Sequence, residues 1–220
     1  MKTFKVKLNQ YISRFSSIII TILPIIFLYI FFDNKKLLII ILSFCTWSTI
    51  EIYLENWQSN FISATKNHDK NSRNFLIICR NLSVWLSAIY SYFYPSSHLG
   101  YLNMYIGASL IFLGSLIRFL SINKLKANFT MNLNAYKSQK IETGGIYCYV
   151  RHPSYVGILL IFISFPIMAD SLTLAVLIFN VTLATLIYRM NLEENLLLEI
   201  KGNVYKQYMK NTYRLFPFIY

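Results

Sequence analysis

The chain of 220 residues carries 21 Lys and Arg against nine Asp and Glu, a net charge of +12, yet only 14% of it is charged and 55% is hydrophobic. Soluble domains hold about 25% charged residues, so this composition excludes an ordinary soluble globule, and it excludes disorder, which requires few apolar residues. Basic excess alone is compatible with nucleic-acid binding; combined with a mean hydropathy of +0.46, it points instead to a membrane protein with its basic residues in cytoplasmic loops.

Bilayer-length apolar runs of about 17–25 residues occur in chain order at Ser16–Phe32, Lys36–Leu54, Phe75–Tyr94, Tyr101–Ile122 and Ser171–Met190, with a shorter run at Ser154–Met168. The first follows a basic start (Lys2, Lys5, Lys7, Arg14) but lacks a small-residue cleavage site, so it reads as an uncleaved span. The last two runs read as a helical hairpin turning at Ala169–Asp170. The expected architecture is an all-α, polytopic integral membrane protein of about six transmembrane helices. Residues 1–122 supply four spans; 123–220 supply a connector, the hairpin and a C-terminal tail, all within one membrane domain. No 20–50-residue repeat is visible.

Charge placement follows the same plan. Of the 21 Lys and Arg residues, 18 fall in residues 1–15, the loop after the second run, residues 118–153 and residues 189–220. The alternation matches the positive-inside rule with both termini cytosolic. The connector and tail then lie on one side, where glycines, polar residues and a His gather. Arg80 sits inside the third run, with Glu51 and Glu55 as possible partners. Cys45, Cys79 and Cys148 form neither a disulfide framework nor a metal-ligand spacing, and with three His residues in the chain no metal site is expected.

Three constellations carry the chemistry. In the first, Thr143-Gly144-Gly145-Ile146-Tyr147 leads to Arg151-His152-Pro153-Ser154-Tyr155-Val156-Gly157. Pro153 disfavours helix at His152 and suits a helix start, which places Arg151 and His152 in bent backbone beside a helix N-terminus. A basic juxtamembrane anchor has the same composition. In the second, Arg189 and Glu193 stand four apart and share a helix face, followed by Glu194. Such a pair suits a ligand bearing both an ammonium and a carboxylate, or simply a solvated helix end. The third is the tail, with Tyr205 and Tyr208 on one helix face and Arg214-Leu215-Phe216-Pro217-Phe218-Ile219-Tyr220 beyond, an expected interfacial anchor.

With their spacing, these residues resemble the isoprenylcysteine carboxyl methyltransferases, polytopic membrane enzymes that use S-adenosylmethionine. The resemblance covers roughly residues 128–220, from Asn128-Phe129 through Gly202, Tyr205, Tyr208 and Pro217-Phe218-Ile219. It implies cofactor contacts at Tyr147, His152, Pro153, Ser154, Tyr155 and Glu193, and a substrate-contacting Arg189, with Arg189 and Glu193 as the catalytic pair. A further cofactor segment aligns with Asn134 and with Gln139, Lys140, Ile141 and Glu142, where the family commonly has His at the position of Gln139. Related membrane sterol reductases carry Asn and Glu where this chain has Ser154 and Ile158, a departure that favours the methyltransferase over an NADPH reductase. The implied reaction is methyl transfer from S-adenosylmethionine to the carboxylate of a prenylated C-terminal cysteine. The alternative is a phospholipid or other small lipophilic acceptor, and a transporter or non-enzyme stands further off. The implied location is a membrane: the endoplasmic reticulum in a eukaryote, the inner membrane in a bacterium. Neither nucleic acid nor metal is an expected partner.

Overall fold

In the second apolar run Leu37, Ile40, Ile41, Phe44 and Trp47 recur at helical spacing, and all five are buried. They lie on the first continuous helix of the computed structural model, which describes residues 35–59, 71–94, 100–125 and 141–217 and single helical positions at Ile19, Ile22, Leu23, Ile26 and Ile30. The helices are α1 (Lys35–Ser59), α2 (Ser72–Phe93), α3 (Gly100–Leu125), α4 (Pro153–Met168), α5 (Leu172–Lys201) and α6 (Asn203–Lys210), with a 3-10 turn at Gly145–Cys148 before α4. Among the described residues there is no strand, only an isolated bridge between Val150 and Tyr213. α1, α2, α3 and α5 are long and apolar enough to cross a membrane, whereas the 16-residue α4 is shorter. The protein is an all-helical integral membrane protein. The expected span Ser16–Phe32 lies outside the described residues except for its isolated helical positions. α5 continues well past the expected end at Met190, because the Leu- and Glu-rich stretch after it is made of good helix formers. It stops at Gly202, whose φ of 55° breaks the chain into α6.

One helix, α2, turns mostly small residues to the interior and large ones outward, the arrangement that lets membrane helices approach. On α2, Ser72, Cys79, Ser83, Ser87, Ala88 and Ser91 are buried, while Phe75, Ile78, Leu82 and Ile89 are exposed. The most extensive helix contact joins α3 to α4. A Cβ on Gly114 would stand 2.7 Å from the Gly157 carbonyl oxygen, and one on Gly157 would stand 2.6 Å from the Gly114 carbonyl oxygen. The two backbones therefore touch. α1 closes over α4 through aromatic contacts, Phe44 on Phe165 at 6.1 Å and Trp47 on Phe162 at 6.0 Å between centroids. Pro166, inside α4, has no N–H for the carbonyl of Phe162 four residues back. The hydroxyl of Ser83, from α2, donates to that oxygen instead, as a dry surrounding requires.

Polar groups tie both ends of the bundle. At one end the turn between α4 and α5 places Asp170 in left-handed conformation, φ 64°. Asp170 pairs with Lys36 at the start of α1 and accepts from Asn103 near the start of α3 at 2.8 Å. At the other end meet the last turns of α1 and α3, the first turns of α2 and α4, and the polar end of α5. There the tail docks: Tyr213 N–H donates to Tyr149 O at 2.9 Å, Arg151 N–H to Tyr213 O at 2.9 Å and His152 N–H to Arg214 O at 3.2 Å. Glu194 of α5 clamps this pairing, accepting from Arg151 Nε at 3.0 Å and facing an Arg214 guanidinium nitrogen at 3.1 Å. The tail expected to anchor at the interface is thus joined to the connector through residue 214, with Tyr205 buried beneath it; Phe218, Ile219 and Tyr220 lie outside the described residues.

Gly114→Leu should disrupt the α3–α4 contact by overpacking, at about 1–3 kcal/mol or more, and lower the thermal unfolding midpoint of the protein in detergent by several degrees. Ser83→Ala removes one interhelical hydrogen bond and should cost less, about 0.6 kcal/mol; an equal or larger loss for Ser83→Ala would contradict this ranking. Glu194→Gln should release residues 211–217, read as faster amide exchange confined to the tail, while Glu199→Gln, on the exposed side of α5, leaves exchange there unchanged.

Candidate active site

Pro153 opens α4 and holds His152 out of helix, with φ −123° and ψ 56°. The His152 carbonyl accepts the Tyr155 N–H at 3.1 Å, so the first turn is closed from outside by His152. The buried imidazole lies parallel to the Tyr155 ring, centroids 5.3 Å apart and planes 2° apart. Its two nitrogens face the two consecutive acids of α5: Nε2 is 3.0 Å from Glu194 Oε1 and Nδ1 is 3.5 Å from Glu193 Oε2. Neighbouring positions on a helix diverge by about 100°. One carboxylate therefore turns to the tail clamp, and the other turns to the face it shares with Arg189.

Arg189 and Glu193 meet at the hydroxyl of Tyr155. The phenol donates to Glu193 Oε2 at 2.7 Å and accepts from Arg189 Nε at 3.0 Å. A second nitrogen of Arg189 donates to Ser72 Oγ at 2.8 Å, at the start of α2. Arg189 is 4% exposed, whereas the Glu193 side chain is 33% exposed. The outer wall of this seam is apolar: Phe75 of α2 and Tyr188 of α5 stand edge to face at 6.1 Å, both exposed.

The 3-10 turn before α4 lays down a floor of phenols. Tyr147 is buried and donates to Ser121 O at 3.3 Å, and its own carbonyl accepts the Tyr208 hydroxyl at 2.7 Å. Burial pushes the Tyr147 and Tyr205 phenols well above their usual value and Tyr208 up to about 12. All three are therefore neutral hydrogen-bond donors at physiological pH. Tyr205 and Tyr208 lie 5.8 Å apart between centroids, on one face of α6 as their spacing requires.

Of the residues singled out from sequence, Tyr147, His152, Pro153, Ser154, Tyr155, Arg189 and Glu193 come together at this end of the bundle. Glu142 is occupied by the connector itself, accepting Gly144 N–H at 2.9 Å and pairing with Lys124 at 3.7 Å; Ile141 beside it is half-buried. Asn134, Gln139 and Lys140 lie outside the described residues, as do the side chain of Glu55 and Asn128-Phe129. Glu51 pairs with Arg118. Arg80 donates to Asn81 Oδ1 and lies 5.9 Å from the centre of the Phe44 ring. Sequence reasoning missed Ser72, Arg118 with Glu51, and the clamp of Arg151, Glu194 and Arg214. A signal for the clamp exists: with nine acids in the chain, a carboxylate next to a buried helix face needs a basic partner. No cluster of His, Cys, Asp or Glu suited to a metal ion occurs among the described residues.

The sequence model of the phospholipid methyltransferase family matches residues 102–204, which hold nearly all of α3, the connector, α4 and α5. A methanethiol S-methyltransferase from Crocosphaera subtropica is 41% identical over 85 residues, 38% of this chain and 32% of that protein, so the match spans under half the length of either. The solved structure of the eukaryotic intramembrane Ras methyltransferase ICMT, isoprenylcysteine carboxyl methyltransferase, superposes with a TM-score of 0.60 at 20% identity, over 96% of this chain and 86% of that one. Residues 102–204 are thus similar to the phospholipid methyltransferase family, and the chain is folded as the isoprenylcysteine carboxyl methyltransferase is.

Proposed function

We propose that the protein transfers a methyl group from S-adenosylmethionine to the carboxylate of a lipophilic acceptor, of which a prenylated C-terminal cysteine is the leading candidate. The observation that carries this reading is the meeting of Arg189 and Glu193 at the Tyr155 hydroxyl, a dry cation and a wetter anion joined by one phenol. Residues suited to S-adenosylmethionine surround it. Glu193 offers a part-exposed carboxylate to an ammonium, the His152–Tyr155 pair and the phenols Tyr147, Tyr205 and Tyr208 offer aromatic and hydrogen-bonding walls, and the α4 N-terminus suits a carboxylate. Pro153 and Ser154 place that terminus. Asn134, Gln139, Lys140, Ile141 and Glu142 are further candidates by position. When bound, the cofactor supplies an electrophilic sulfonium methyl group.

The work left to the protein is placement. A terminal carboxylate has a pKa of about 3.3–3.7, so it is already ionised at neutral pH and needs no base. Arg189 holds it with a fork of donors, and Tyr155 and Ser72 fix the guanidinium. Holding acceptor and donor in line supplies the larger part of the rate. The exposed Phe75–Tyr188 pair beside Arg189 suits the apolar body of an acceptor arriving from the bilayer. The basic residues at this end match the cytosolic side of the membrane, the endoplasmic reticulum in a eukaryote or the inner membrane in a bacterium.

A second reading, transfer to a small thiol, is favoured by the 41% identity to a methanethiol S-methyltransferase over 85 residues. A thiol has a pKa of about 8.5 and is mostly protonated at pH 7, so that reaction needs thiolate formation as well as placement.

With labelled S-adenosylmethionine and protein in lipid, N-acetyl-farnesylcysteine should be methylated in preference to methanethiol or phosphatidylethanolamine. Preferred turnover of methanethiol would install the second reading, and turnover of the phospholipid the third acceptor class. Arg189→Ala should lower kcat/KM by about 100- to 1,000-fold, with cofactor affinity largely retained. Glu193→Ala should weaken cofactor binding by about tenfold or more. Full activity in either variant would refute its assigned role.

A further inference from the structure

Outside the Arg189–Glu193 pair, a buried ion pair reaches the same end of the bundle from two other helices. Arg118 of α3 is 3% exposed. It donates through Nε to Glu51 Oε2 at 2.9 Å, and a terminal nitrogen bonds the other oxygen, so the α1 carboxylate is held bidentately. The remaining terminal nitrogen donates to Ser154 Oγ at 3.0 Å and faces the Ser154 carbonyl at 3.4 Å. A guanidinium neutralised in this way, with every arm turned to protein, is built to hold protein rather than a ligand.

Its stem is placed as deliberately as its head. A Cβ on Gly157 would stand 2.6 Å from Arg118 Cγ, so only glycine leaves room for the stem to pass across α4. Gly157 lies one turn beyond Ser154, and its backbone is the one that touches Gly114. Two independent features, a glycine gap and a forked hydrogen bond, thus fix the first turn of α4 against α1 and α3. That same turn carries Pro153, Ser154 and Tyr155 toward Glu193.

The geometry points to Arg118, held by Glu51, as a positioning residue for the cofactor site: it sets Ser154 and the first turn of α4 in the place where S-adenosylmethionine is bound. This inference rests on the proposed methyltransferase reading. It predicts a larger effect on the cofactor than on the acceptor, since Arg189 lies on α5 and is also held by Ser72 of α2, outside the turn that Arg118 sets.

The test uses the full chain in lipid nanodiscs, with S-adenosylmethionine binding measured directly by calorimetry and turnover measured with N-acetyl-farnesylcysteine. The double variant Arg118→Met/Glu51→Leu replaces the ion pair by apolar side chains of similar size, a change that buried pairs commonly tolerate in stability. It should weaken S-adenosylmethionine binding about tenfold, equivalent to about 1.4 kcal/mol, leave the KM for the acceptor within about twofold and keep the unfolding midpoint of the wild type. Ser154→Ala, which needs no ion pair to be removed, should weaken the cofactor similarly, and adding it to the double variant should cost nothing further. Unchanged cofactor affinity in the double variant or in Ser154→Ala, with wild type binding normally, would overturn the positioning role and leave the methyltransferase reading standing. Equal losses in cofactor and acceptor affinity with a lowered unfolding midpoint would also overturn it, as a general structural effect. Absence of cofactor binding in wild type would overturn the functional reading and this inference with it.

Discussion

The backbone contact between Gly114 of α3 and Gly157 of α4 is the constraint on which the rest of the site depends. In a bilayer the lipid tails are as apolar as the side chains, so helices associate by close packing and by shared polar groups rather than by expelling water. Where α3 and α4 touch without side chains between them, the first turn of α4 has one position. That position brings His152 and Tyr155 against the polar end of α5. A side chain at either glycine would move the helix carrying half of the site.

The second consequence of the medium is that each buried polar group needs a protein partner. Ser83 answers the carbonyl that Pro166 leaves without its N–H. Lys36 and Asn103 answer Asp170 at the far end. At the site end the consecutive acids of α5 are divided between two tasks. Glu194, with a side chain 8% exposed, takes Arg151, His152 and Arg214 and fixes the tail; Glu193, 33% exposed, faces Tyr155. Their divergence follows from helical pitch alone, and it separates the carboxylate that holds the fold from the one accessible to a ligand.

Much of this is legible in the sequence where the information is local. Apolar length marks α1, α2, α3 and α5, Pro153 marks the start of α4, Gly202 marks the end of α5, and a spacing of four places Arg189 beside Glu193. What is illegible is pairing between distant segments. Glu51 and Arg118 are 67 residues apart and Ser72 and Arg189 are 117 apart. No period within either helix says which helices will be neighbours. Glu51 and Glu55, near the end of the second apolar run, are the acids the sequence offers Arg80, while helix order in space brings Arg118 to Glu51. The pairing of Val150 with Tyr213 is illegible for the same reason, since a single bridge has no alternating pattern to announce it.

The two charges that meet at Tyr155 differ in access to water, and that difference bears on how two dissimilar ligands reach one site. A guanidinium 4% exposed has little water to lose when it meets an anion, and at low dielectric its attraction for that anion is strong. The anion itself must shed its hydration, a cost that is smaller if its apolar body already lies in the bilayer beside Phe75 and Tyr188. Glu193, being wetter, suits a polar zwitterion arriving from the aqueous side. On the proposed reading the phenol between them marks the boundary between the two solvents. On that same reading the acceptor carboxylate would be brought to that boundary already ionised, so the chain would need few titrating groups beside Arg189, and a fixed cation would be more useful there than a base.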